Sequence, residues 1–96
     1  MSEIAKYEIE YTGCFKDDVK RLKRRGYDME LLATAVDLLR YDGFLPPQYK
    51  PHKLVGKHKG KWECHISPDW LLVWKQEDDR LIMTMTNTGT HADLFK

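Results

Sequence analysis

Five consecutive residues, Trp70-Leu71-Leu72-Val73-Trp74, are apolar without alternation. A strand that turns hydrophobic side chains to both faces must be covered on both. This run therefore predicts the central strand of a sheet, and the rest of the chain has to be arranged around it. The run Lys61 to Ile66 precedes it and Arg80 to Thr88 follows it, across the turn Ser67-Pro68-Asp69 and the link Gln76 to Asp79. Connections this short make antiparallel neighbours. Near the N-terminus, Tyr7, Ile9 and Tyr11 alternate with Glu8 and Glu10, the period of a half-buried strand over Lys6 to Tyr11 that fits a sheet edge.

Between these strands lies a helical block. Phe15, Val19 and Leu22 form one apolar stripe in a segment otherwise charged, with Asp17 and Asp18 toward its start and Lys20, Arg21, Lys23, Arg24 and Arg25 toward its end, as the helix dipole favours. Gly26 suits the residue after its C-cap, and Asp28 suits the cap of a second helix with the stripe Leu32, Ala35 or Val36, and Leu39. Gly43 and Pro46-Pro47 stop that helix. The expected fold class is α+β, with a strand, a two-helix hairpin and an antiparallel sheet carrying the helices on one face. At 96 residues and 42% hydrophobic content, residues 1–96 are expected to form one domain.

Charge and cysteine usage narrow the function. Sixteen basic residues against fifteen acidic ones leave a net charge of +1, which excludes polyanion binding by bulk charge alone. No run approaches the ~18 apolar residues of a membrane span, and MSEIAKYEIE lacks the apolar core of a signal peptide. Two isolated cysteines, Cys14 and Cys64, fit neither a disulfide framework nor a zinc site, so a cytoplasmic protein is expected. The spacings of the four histidines match no zinc signature, and no cofactor is expected.

The polar segment Gln48 to Lys61 includes Lys50, Lys53, Lys57, Lys59 and Lys61 without an acid between Lys50 and Lys61. It fits a phosphate-tracking surface and equally a solvated loop. On the next strand Trp62, Cys64 and Ile66 face one way, and Lys61, Glu63 and His65 the other. Glu63 and His65 could share a substrate as acid–base groups, or be a surface pair with no task. Asp69 suits its turn, and could also orient a histidine. His91 follows Gly89 at a strand end, and Phe95 could stack on a base or pin the tail to the core.

Taken together, these segments resemble the YafQ-like branch of the RelE superfamily, the toxins of type II toxin–antitoxin systems. The similarity runs from Phe15 to Phe95. It rests on the segments FKDDVKRL, LPPQYK, HKLVG, ECHISPDWLL and TGTHADLF, in that order and spacing. The resemblance implies a microbial-ribonuclease-like fold and an mRNA interferase that cuts mRNA in the ribosomal A site by metal-independent transesterification. It places the catalytic groups at His52, His65, Asp69 and His91. His91 would be the general acid, and His52 or His65, helped by Asp69, the base. Glu63 and Phe95 fall on supporting positions, and Lys53, Lys57, Lys59 and Lys61 would meet RNA. Where relatives carry an arginine before Thr-Gly-Thr-His or Leu-Gly-Ser-His, this chain has Asn87-Thr88. Asparagine supplies no charge, so either Lys57, Lys59 or Lys61 substitutes or the toxin is weakened and acts mainly as antitoxin partner and co-repressor. The implied partners are a cognate acidic antitoxin, the ribosome with its mRNA, and operator DNA through the antitoxin complex. The basic first helix, with Lys16, Lys20, Arg21, Lys23, Arg24 and Arg25, offers a landing place for an acidic partner or ribosomal RNA, and equally fits a solvated face.

Overall fold

The computed structural model describes residues 4–56 and 60–95. Its elements are β1 (Glu8–Tyr11), α1 (Gly13–Arg24), α2 (Met29–Asp42), a 3-10 turn (Pro47–Tyr49), β2 (His52–Lys53), β3 (Lys61–Ser67), β4 (Trp70–Glu77), β5 (Ile82–Gly89) and α3 (His91–Leu94). The sheet order is β1-β5-β4-β3-β2, so the doubly apolar run is the middle strand, as its pattern requires. Trp70, Leu72 and Trp74 join Cys64, Met83 and Met85 in the core beneath the helices, while Leu71 and Val73 are buried outside that cluster. Trp62 stacks on Trp74 at 6.1 Å, and Tyr27 meets Trp70 edge-on.

The helix caps follow the sequence. The Asp28 carboxylate accepts from the Glu30 N–H, and Gly43 closes α2 in the left-handed region at φ 81°. Thr12 caps α1, its hydroxyl oxygen accepting from the Phe15 N–H. Among the described residues, no helix is long and apolar enough to cross a membrane.

Four features depart from the expected arrangement. The sheet is mixed rather than antiparallel, because β1 pairs with β5 in parallel. That strand starts at Glu8, not Lys6, because the Lys6 and Tyr7 N–H groups donate to the Arg40 carbonyl at the end of α2. His52 and Lys53, read as loop, pair with Glu63 and Trp62 as an edge strand. The last four-residue helix was not visible as an element: Thr90 and Asp93 close a reciprocal capping box around it.

How α1 meets β5 decides where the site lies. Strand β1 ends opposite Met85, which leaves the outer edge of β5 unpaired beyond that point. The start of α1 takes over. The Thr12 N–H donates to the Met85 carbonyl, the Thr12 hydroxyl to the Thr86 carbonyl, and the Thr88 N–H to Asp18 Oδ2 at 3.1 Å. Asp18 is only 7% exposed. It lies outside the first turn, so it does not serve the helix dipole as the sequence suggested. It closes a sheet edge.

Thr88 is fully buried at the same junction. Its hydroxyl accepts from Trp70 Nε1 at 2.9 Å and donates to the Leu71 carbonyl at 2.7 Å. Thr88→Val keeps the shape and leaves both partners unsatisfied. It is expected to destabilise the protein by about 1–3 kcal/mol, measured by urea unfolding.

Candidate active site

Pairing register brings the singled-out residues onto the sheet face that bears Glu63 and His65. His52 stands opposite Glu63, so their side chains share a face. His52 Nε2 lies 3.2 Å from Glu63 Oε1, and His52 Nδ1 donates to the Lys50 carbonyl at 3.0 Å. Both ring nitrogens thus face oxygen atoms, and the Glu63 carboxyl beside the ring is buried. Cys64, the next residue, points into the core. Burial above all, then Glu63, pushes its thiol up to about 12, which makes it no nucleophile.

A second acid–base pair forms where the β3–β4 turn meets the end of β5, because Leu71 is in register with Gly89. Asp69 Oδ1 accepts from His91 Nδ1 at 2.8 Å and from the His91 N–H at 3.2 Å. The His91 side chain, then its backbone N–H, holds the Asp69 carboxyl below the usual carboxylate range. The sequence reading placed Asp69 behind His52 or His65; the geometry places it behind His91 and gives Glu63 to His52. The carboxylate accepts from Nδ1–H, which fixes the tautomer of His91, the tautomer logic of a carboxylate–histidine dyad. The His65 ring lies 5.9 Å from the His91 ring, and the Phe95 ring lies 6.5 Å from it.

Helix α3 aims His91. The Asp93 carboxylate accepts from the Thr90 N–H and takes two bonds from the Arg25 guanidinium, at 2.8 and 3.2 Å. Arg25 and the Thr90 N–H hold the Asp93 carboxyl well below its ordinary range. Gly89 permits this closure, since a Cβ there would lie 2.9 Å from Asp93 Oδ2. A carboxyl with a depressed folded-state pKa stabilises above the unfolded value of about 3.9, and that contribution is lost as pH falls through the folded value. Asp93→Asn is therefore expected to lower stability at neutral pH, with the gap to the parent starting to narrow below about pH 5 and still open at about pH 3, because the folded value lies well below the unfolded one. Urea melts across that range measure it.

A cavity of about 310 Å³ opens between α1, β3 and β5, and its wall includes Asp18, Arg21, Arg25, Lys61, Asn87 and Phe95, the neighbour of His91. A β-bulge puts Asn87 there. The register between β4 and β5 slips at Val73/Trp74, so Val73 faces Asn87 while Trp74 faces Met85 and Thr86 is the extra residue. Asn87 Nδ2 donates to Asp18 Oδ2 at 3.4 Å, and Arg21 Nη2 donates to Asp18 Oδ1 at 2.7 Å. Sequence reasoning took Arg21 and Arg25 as part of a basic helix face for an acidic partner or ribosomal RNA, and did not place them at this cavity. The available signal was Asp18, which falls on the apolar stripe between Phe15 and Leu22 and so had to be buried.

The lysines divide. Lys61 lines the cavity, whereas Lys53 holds its ammonium 5.6 Å from the Trp62 ring centroid, on the strand position next to His52. Lys57 and Lys59 lie outside the described residues. Among the described residues, no three of His, Cys, Asp and Glu are grouped so as to hold a metal ion.

This fold is that of a toxin class. Residues 7–96 match the family described as the bacterial toxin of type II toxin–antitoxin systems, YafQ. The mRNA interferase toxin YafQ of Escherichia coli (strain K12) is 40% identical over 89 residues, 92% of this chain and 95% of that protein. The putative toxin YafQ of Haemophilus influenzae is 32% identical over 101 residues, covering 98% and 99%. YafQ in the crystal structure of the E. coli DinJ–YafQ toxin–antitoxin complex superposes with a TM-score of 0.86 at 39% identity, over 95% of this chain and 99% of that one. A metal-bound toxin from Helicobacter pylori superposes at 0.84 with 36% identity, over 93% and 99%. The chain belongs to the YafQ family of mRNA interferase toxins.

Proposed function

We infer that this toxin cleaves mRNA on the ribosome by acid–base transesterification, the 2′-hydroxyl attacking the adjacent phosphate to leave a 2′,3′-cyclic phosphate. The Asp69–His91 bond carries this reading: it frees His91 Nε2 to protonate the departing 5′-oxygen. The base is drawn from the His52–Glu63 pair or His65, all on the same sheet face. These groups supply both proton transfers themselves, which supports a metal-independent reaction. Phe95, beside His91, is placed to stack on a base, and Lys61 to meet the backbone.

The partner inferred is a cognate acidic antitoxin, as DinJ is for E. coli YafQ, with operator DNA reached through that complex and a cytoplasmic site of action. Asn87 favours a second reading, a weakened nuclease serving mainly as antitoxin partner and co-repressor. Induction in a bacterial host, with mRNA 5′ ends mapped by primer extension, separates the two. Growth arrest with new in-frame ends establishes the interferase. Normal growth with intact mRNA, while the protein accumulates, overturns it in favour of the second reading.

A further inference from the structure

The cavity that reaches from α1 to Lys61 and Phe95 carries an excess of positive charge. Its named charged residues are Asp18, Asp93, Arg21, Arg25 and Lys61, which leave one positive charge in excess. Asp93 engages Arg25 with both oxygens. Asp18 spends one oxygen on Arg21 and the other on the Thr88 and Asn87 N–H groups. No carboxylate of this set is left to neutralise Lys61. Arg21 Nε is buried without a hydrogen-bond partner, while Nη2 of the same guanidinium is held by Asp18. A phosphodiester carries one negative charge and accepts from several donors at once.

We propose that the cavity seats one RNA phosphodiester, gripped by Arg21 from α1 and Lys61 from β3, with Arg21 supplying the cation that position 87 lacks. The Asp18 carboxylate is the positioning group: it ties the guanidinium beside Asn87 while anchored on the Thr88 N–H. The proposal rests on the nuclease reading for its catalytic consequence, and on the cavity alone for binding.

The probe is a 2′-O-methyl RNA trinucleotide, which has no 2′-hydroxyl to attack and so reports binding alone. Its affinity for the full chain is measured between about 50 and 200 mM salt. Arg21→Gln is expected to flatten the log–log salt slope by about 0.7, one single-strand phosphate contact. Arg24→Gln, on the same helix but outside the cavity, leaves the slope unchanged. Should Arg21→Gln fail to fold, Asn87→Asp, which adds a negative charge without touching the arginine, is expected to weaken trinucleotide binding. On programmed ribosomes, Arg21→Gln is expected to lower kcat by about 10²–10³-fold, and Arg21→Lys by less. Asn87→Arg is then expected to restore about tenfold in the Arg21→Gln background.

A salt slope equal in Arg21→Gln and the parent overturns the proposal, whether or not the parent cuts RNA. So does undiminished trinucleotide binding by Asn87→Asp where that variant has to be used. A parent that cuts nothing, with the slope still flattened by Arg21→Gln, upholds the phosphate seat and rejects only the nuclease reading.

Discussion

His91→Ala is expected to slow cleavage of ribosome-bound mRNA by about 10²–10⁴-fold, the range for loss of a general acid. The geometry makes the loss specific. Asp69 locks Nδ1 at 2.8 Å and also takes the His91 N–H, so ring orientation and tautomer are fixed before substrate arrives. Removing the ring deletes the proton donor and leaves Asp69 with its backbone bond. Asp69→Asn keeps an acceptor but removes the charge that stabilises a protonated ring, so its loss should be smaller. Since the Asp69 carboxyl sits below the ordinary carboxylate range, it stays ionised throughout the histidine titration range. Any pH dependence of the parent above about pH 5 therefore arises elsewhere. Single-turnover cleavage on programmed ribosomes is the measurement. A His91→Ala rate within about threefold of the parent would remove His91 from the chemistry.

Trp74→Ala is expected to destabilise the fold by about 3–5 kcal/mol. Trp74 is 1% exposed, stacks on Trp62 at an interplanar angle of 9°, and donates its indole N–H to Gln76 Oε1 at 3.1 Å. It sits on the middle strand, so the void opens in the sheet's interior, where neighbours on both sides are hydrogen-bonded in place. A chain of this size has a total stability of about 5–14 kcal/mol. The variant should therefore lose much of its margin, with a fall in urea midpoint at nearly constant slope. Trp74→Phe, which keeps a ring, should lose less. A midpoint unmoved by Trp74→Ala would mean that the core does not depend on this strand.

What the sequence revealed and what it hid have separate physical causes. The middle strand was legible because a five-residue apolar run has no solvent-facing side, and α2 because Asp28 and Gly43 are chemically specific stops. The acidic alternation of β1 marked an edge, but exposure patterns carry no direction, so its parallel pairing with β5 was hidden. The bulge at Thr86 was hidden for the same reason. Strict alternation from Met83 and Met85 would send Asn87 into the core and Thr88 out, and one extra residue reverses both. At the site, His52, His65, Asp69 and His91 were found through resemblance to a family, and spacing alone left each open. Their partnerships were not legible: Asp69 and His91 are 22 residues apart. Glu63 reaches His52 only because β2 exists, and two residues are too few to announce a strand.

The seating of α1 against β5 ties the pocket to the core. The Asp18 carboxylate that stops the strand edge is also the tether of Arg21. Phe15 and Leu22 of the same helix belong to the core cluster of Trp70 and Trp74. Displacing that helix would dismantle one wall of the pocket, expose the strand edge and uncover the sheet in a single event. The arginine's placement is thus as durable as the fold, and it needs no separate device to hold it.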